Sequence, residues 1–222
     1  MTSFSCPDSN NSPVWTSIDV LKWKIVPERF GGGKTFIQRF KDGWVTHNRF
    51  RIRSAAAAHS IQDQLLAGTA WIEVGGDPTF IDRAAFNVRS GDWSGPPWVD
   101  KHLTVTRPPE MTSFGPVSMQ LRTAVATMGL DFDKISPADL DALSRCLEKD
   151  VFNLNIVAKH LRALAKYDHP KADTGALTQD QIRVVGARYN RGKGPTLAQI
   201  KQNTSYGDFI LKLWPRVSAL LR

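Results

Sequence analysis

From residue 49 onward the apolar positions recur at helical rather than alternating spacing. Ile61, Leu65, Leu66, Thr69 and Ile72 share one face, which predicts a helix over 61–74 capped by Ser60 and ended at Gly75-Gly76-Asp77-Pro78. A short Ala-rich helix over 50–59 precedes it. Further helices are predicted over 116–128, 136–147, 151–167, 178–189, 197–203 and 206–221. Ser136-Pro137 reads as N-cap and first helical residue, and Thr178 with Gln181 as a capping box. The first 45 residues differ. A Gly31-Gly32-Gly33 break and an alternating stretch over 35–44 predict an irregular or short-stranded arm. Residues 77–112 are polar and rich in Pro and Gly, and a structureless stretch of that length inside a domain usually carries function. The pattern therefore predicts a mainly α protein, with a main domain over 49–222 and an extension over 1–48 packed on it. No internal repeat or low-complexity segment is present.

Composition narrows the class. An apolar content of 41% with seven Trp in 222 residues supports one domain with a real core. The net charge of +8 suits a polyanionic partner: nucleic acid, an anionic membrane or bacterial cell wall. Solubility alone accounts for it equally well. Lys and Arg are scattered, with modest concentrations over 34–41, 49–53 and 183–201. No strip interleaves bases with aromatics, so nucleic acid is not the expected partner. Cys6 and Cys146 make neither a metal site nor a disulfide framework. They can pair in an oxidising compartment, but a free, buried Cys146 on a helix is the favoured reading. His47, His59, His102, His160 and His169 lack metal-ligand spacing, so neither metal nor cofactor is expected. Gly31-Gly32-Gly33-Lys34-Thr35 lacks the upstream glycine of a phosphate loop, and no helix is expected to follow it, so a phosphate loop is set aside. The polar N-terminus has no apolar stretch of the signal-peptide kind, and no run reaches transmembrane length, so membrane insertion is not expected. That start also fits the cut edge of a longer chain.

The candidate chemistry centres on Glu73, the sole acid in the apolar stretch Leu65–Gly76, placed where helix gives way to glycine. The negative end of the helix dipole and an enclosure by Trp71, Ile72 and Val74 would both raise its pKa. A carboxylic acid protonated near neutral pH is what protonation of a glycosidic oxygen requires. Taken alone, an exposed Glu making a cap or ion pair is the commoner case.

Four segments in order alter that balance: Ile72-Glu73-Val74, then Gly115-Pro116-Val117-Ser118-Met119-Gln120, then Asn153-Leu154-Asn155-Ile156, then Ala187-Arg188-Tyr189-Asn190. Over residues 50–192 this order resembles the lysozyme-like superfamily of soluble lytic transglycosylases and goose-type lysozymes. There a helix ends in a catalytic Glu, followed by Gly-Leu-Met-Gln, Asn-Ile and Ala-Tyr-Asn segments. The chain departs from the pattern at Val74, where Ser is usual, and by two extra residues between Gly115 and Met119. It departs again at Asn190-Arg191-Gly192, where the family has Asn-Ala-Gly. These mark a divergent branch and leave open the substrate preference and the second catalytic group.

The resemblance implies a lysozyme-like fold and a muramidase that cuts the β-1,4 bond between N-acetylmuramic acid and N-acetylglucosamine. Glu73 would be the acid. Ser118, Met119 and Gln120 would bind saccharide hydroxyls and acetamido groups, Gln120 having a helix cap as its plainer role. Tyr189 would place its hydroxyl on Glu73 or the sugar, and Asn190 would bind an acetamido group; a packed Tyr and a turn Asn are the alternatives. Arg188, Arg191 and Lys193 would meet peptide-stem carboxylates or simply form a solvated basic face. An inverting hydrolase also needs a carboxylate base, for which Asp82 or Asp92 is favoured over Asp77, whose place before Pro78 fits a turn. A lytic transglycosylase would need none. The remaining rival is a non-catalytic module that binds cell wall or nucleic acid. A basic lysozyme-like domain without a signal peptide suits a phage endolysin or, preferably, an antibacterial type VI secretion effector. An effector would act in the target-cell periplasm and meet a cognate immunity protein. The segment Lys201-Gln202-Asn203-Thr204-Ser205-Tyr206-Gly207-Asp208 loosely resembles such effector domains.

Overall fold

The computed structural model describes residues 4, 6, 12–75 and 111–222. It is mainly helical. Among the described residues ten α-helices run in the order α1 Ser17–Ile25, α2 Gly33–His47, α3 Arg49–Ala58, α4 Asp63–Glu73, α5 Leu121–Met128, α6 Pro137–Leu147, α7 Asp150–Asp168, α8 Gln179–Arg191, α9 Leu197–Lys201 and α10 Ser205–Leu220. An antiparallel pair, β1 Ser113–Phe114 and β2 Met119–Gln120, precedes α5, with Ser113 opposite Gln120 and Phe114 opposite Met119. None of the helices described is long and apolar enough to cross a membrane.

The described part of the N-terminal arm corrects the sequence reading: from Ser17 onward it is largely helical, not irregular or short-stranded. A capping box between Thr16 and Asp19 starts α1. The alternation read over 35–44 is overruled by a longer period, because the buried residues of α2 are Ile37, Lys41, Trp44 and Val45, spaced as one helical face. Ser60 does not cap α4. It adopts a left-handed φ of 50°, and α4 begins at Asp63 with Gln62 as N-cap. The expected caps at Ser136 and Thr178 are present, the latter as a complete box with Gln181.

Burial explains the arrangement around the site. Seven consecutive residues of α4, Leu65 to Trp71, are buried, as expected of a helix apolar on all sides. It packs against α2, α3, α7 and α10. Where α10 crosses α8, two glycines allow contact that no side chain would: a Cβ on Gly186 would sit 2.5 Å from Gly207 Cα, and one on Gly207 would sit 2.3 Å from the Arg183 carbonyl oxygen. This close crossing carries Tyr206, at the start of α10, to the end of α4.

The segment read as the first turn of a helix over 116–128 is instead the loop of the β1–β2 hairpin. Gly115 has φ +78°, and a Cβ there would fall 2.0 Å from the Leu147 carbonyl oxygen, so both conformation and space demand glycine. The buried Asn153 of α7 ties the hairpin down: its Nδ2 donates to the Phe114 carbonyl at 3.2 Å, and its Oδ1 accepts from Val117 N at 3.1 Å.

The cysteine reading is also corrected: Cys146 is not free but paired with Cys6 in a disulfide, with Cα atoms 5.4 Å apart and a sequence separation of 140. Cys146 is buried on α6, so the buried helix placement holds while the reading of a free thiol does not.

Candidate active site

Glu73 is the last residue of α4, and it faces a cavity of about 660 Å3. That volume lies in the range of ligand pockets. Ser118, Met119 and Gln120 line the same cavity from the hairpin, and Tyr189 and Asn190 from the end of α8, so five residues singled out in sequence meet at Glu73. Gln120 is the N-cap of α5 but makes no side-chain capping bond; it and Ser118 are exposed. Met119 is buried. Asp82 and Asp92, the carboxylates considered as a base, lie outside the described residues.

Tyr189 does not bond Glu73. Its hydroxyl donates to the Val117 carbonyl at 3.1 Å, fastening α8 to the hairpin. The donor to Glu73 is Tyr206, whose hydroxyl meets Oε1 at 2.6 Å. The two tyrosine rings lie 5.9 Å apart, centroid to centroid. Burial raises the pKa of both phenols, and the charge of Glu73 raises them further, so both remain protonated donors.

Burial likewise pushes the Glu73 carboxyl above the ordinary carboxylate range, while the Tyr206 hydrogen bond and the charge of Lys41 pull it back. Lys41, from α2, is buried beneath the end of α4. Its Nζ donates to the carbonyls of Trp71 at 2.9 Å and Ile72 at 2.6 Å, two of the carbonyls a helix end leaves without intrahelical partners. Burial lowers its pKa to about 8, against a raising pull from Glu73. Two cations lie over the Trp71 ring, Lys41 Nζ at 5.1 Å and the Arg216 guanidinium at 5.3 Å from its centroid. Its Nε1 donates to Asp42 at 2.8 Å, and Arg216 grips the same Asp42 through two bonds of 2.8 and 2.6 Å. The end of α4 is thus held from α2 and α10.

The far wall includes His160, whose Nδ1 pairs with the Thr127 hydroxyl at 2.9 Å. Burial, and then the charge of Lys193, lower its pKa to about 4, so near neutral pH it is an uncharged hydrogen-bonding group. Among the described lining residues Glu73 is the one carboxylate, whereas Arg122, Arg191 and Lys193 are cationic.

Arg188 has another place. It is buried, bonded to both carboxylate oxygens of Asp168 at 2.7 and 2.9 Å and to the Pro195 carbonyl at 2.6 Å, so it braces the turn after α8 instead of facing a ligand. Asn155 is exposed and pairs with His59 Nε2 at 2.5 Å, outside the cavity; Asn153 carries the structural duty in that segment.

Tyr206, Lys41 and His160 are the site residues that sequence reasoning did not select. Tyr206 lies 133 residues from its partner, and Lys41 stands in a stretch read as alternating, so no local pattern marks either. Among the described residues no group of three or more His, Cys, Asp or Glu could hold a metal ion. The arrangement can keep a proton on a carboxyl at the wall of a polar cavity and present it to a bound molecule. Set against models of known protein families, curated proteins and solved structures, the chain matches none.

Proposed function

We propose that the chain is a lysozyme-like peptidoglycan hydrolase that cleaves the β-1,4 bond between N-acetylmuramic acid and N-acetylglucosamine, with Glu73 as the acid. One observation carries the reading: a half-buried carboxyl of raised proton affinity, held by Tyr206, opens onto a cavity lined by Ser118, Met119, Gln120, Tyr189 and Asn190. In this reading Glu73 gives its proton to the glycosidic oxygen as the bond to the anomeric carbon breaks. Gln120, Ser118 and Asn190 hydrogen-bond hydroxyls and acetamido groups, and neutral His160 adds a further polar contact. Arg122 and Lys193 attract the lactyl and peptide-stem carboxylates, and the +8 charge concentrates the enzyme on an anionic wall. Asp82 or Asp92 would supply the base for an inverting hydrolysis.

A lytic transglycosylase is the second reading, favoured by the single carboxylate among the described lining residues. The Cys6–Cys146 disulfide supports work in an oxidising compartment such as a periplasm, as a secreted antibacterial effector would require. An immunity protein covering the cavity belongs to the same proposal.

The test is muropeptide release from purified peptidoglycan by the wild type and by Glu73→Gln. The variant should lose roughly 10²- to 10⁴-fold in rate, the usual contribution of a positioned acid. Mass spectrometry separates the two readings: ends carrying added water mean hydrolysis, anhydro-muramic ends mean transglycosylation. Activity retained by Glu73→Gln would sink the acid assignment, and wall binding without release by the wild type would make the chain a binding module.

A further inference from the structure

Lys41 is an unusual residue to find where it is. A lysine that caps a helix C-terminus ordinarily does so from solvent, where the ammonium keeps its hydration. Here the residue is only 9% exposed, and burial of a cation is costly unless its donors are satisfied. Two of its three donors are: they meet the carbonyls of Trp71 and Ile72, the two residues that lead directly into Glu73. The ammonium also lies over the Trp71 ring, so it touches backbone and side chain of the same turn. A neutral chain of similar shape, such as methionine, would fill this space without the cost of desolvating a charge. What methionine would not supply is a positive charge fixed behind the acid.

We propose that Lys41 is a positioning residue for Glu73: its ammonium ties down the last turn of α4 and holds one positive charge behind the carboxyl. The inference rests on Glu73 being the functional acid, but the coupling itself is a property of the free protein. Other charged and titratable groups around the pair are named here for the described residues. Tyr206 and Tyr189 face Glu73 from α10 and α8, Asp42 and Arg216 bracket Trp71, and His160 and Lys193 line the cavity. Both phenols stay protonated and His160 stays neutral around pH 7, so among these described neighbours of Glu73 Lys41 is the one whose charge changes just above neutral pH. It loses its proton at about 8. Below that pH its charge limits how far burial raises the carboxyl; above it the restraint is gone.

The experiment is a pair of NMR titrations without substrate, following the Glu73 carboxyl carbon and the Lys41 side chain. In Lys41→Met the Glu73 midpoint should move upward by about one pH unit, the lower end of what one nearby charge does. In Glu73→Gln the Lys41 midpoint should move downward by the same amount, because coupling between two sites is reciprocal. In turnover assays on peptidoglycan, the alkaline edge of the Lys41→Met profile should move upward with the Glu73 midpoint. Folded proteins in which neither midpoint moves would reduce Lys41 to a structural cap and overturn the proposal. If Lys41→Met fails to fold, the Lys41 titration in Glu73→Gln decides alone. A wild type that leaves peptidoglycan intact while both variants show their shifts would sink the hydrolase reading only; an active wild type whose variants show neither shift would sink this one only.

Discussion

The Tyr206 hydroxyl donates to Glu73 Oε1 at 2.6 Å, joining the first turn of α10 to the last turn of α4 across 133 residues of sequence. The bond favours the ionised carboxylate, so it opposes the burial that raises the carboxyl. Tyr206 therefore tunes the acid as well as orienting it, and the glycine crossing at Gly186 and Gly207 makes its approach sterically possible.

Tyr206→Phe should accordingly raise the Glu73 pKa beyond its wild-type value. The acid must be protonated to act, so activity is lost as pH rises through that value, and the alkaline edge of the profile should move to higher pH. Loss of orientation should at the same time lower kcat by roughly 10-fold or more. A pH–rate profile on solubilised glycan strands checks both. An unmoved alkaline edge would show that the hydroxyl does not set the proton affinity of Glu73.

Glu73→Gln should trade activity for stability. The carboxyl has a higher pKa folded than unfolded, so its favourable contribution is complete below the unfolded value near 4.5 and is lost as pH rises through the folded value. At neutral pH the native glutamate thus destabilises the fold, and Gln, which mimics the protonated form, removes that penalty. The expected gain is on the order of 1 kcal/mol at pH 7, vanishing at pH 4 and below. Denaturant unfolding of the two proteins at both pH values measures it; an equal gain at the two would contradict the titration origin.

Cys146→Ser should destabilise the fold without altering the cavity, since the disulfide ties residue 6 to α6 and Cys146 does not line the site. Closing a loop whose ends are 140 positions apart in sequence is worth as much as ~5 kcal/mol in the chain-entropy picture. Thermal unfolding with and without a reductant tests this: the reductant should lower the wild-type Tm toward that of the variant and leave the variant unchanged. A wild-type Tm indifferent to reductant would show that the pair contributes little.

What the sequence determined by itself is local. The helical spacing beyond residue 49, the caps at Ser136 and Thr178 and the helix ending at Glu73 all follow from interactions a few residues apart, and all are present. The ordered segments also named five residues that line one cavity with Glu73, although not how each is used. Where two local signals competed, the sequence misled: the alternation over 35–44 hid the buried face of Ile37, Lys41, Trp44 and Val45, and Gly115 turned a supposed helix start into a hairpin. The tertiary structure alone decided the rest. Tyr206 instead of Tyr189 reaches the acid, Lys41 lies behind it, Arg188 is spent on Asp168, and Cys6 meets Cys146. Each of these pairs joins parts of the chain well apart in sequence and is set by tertiary packing, as where the close contact of Gly186 with Gly207 brings α10 and its Tyr206 alongside α8, and is written in no short stretch of the chain.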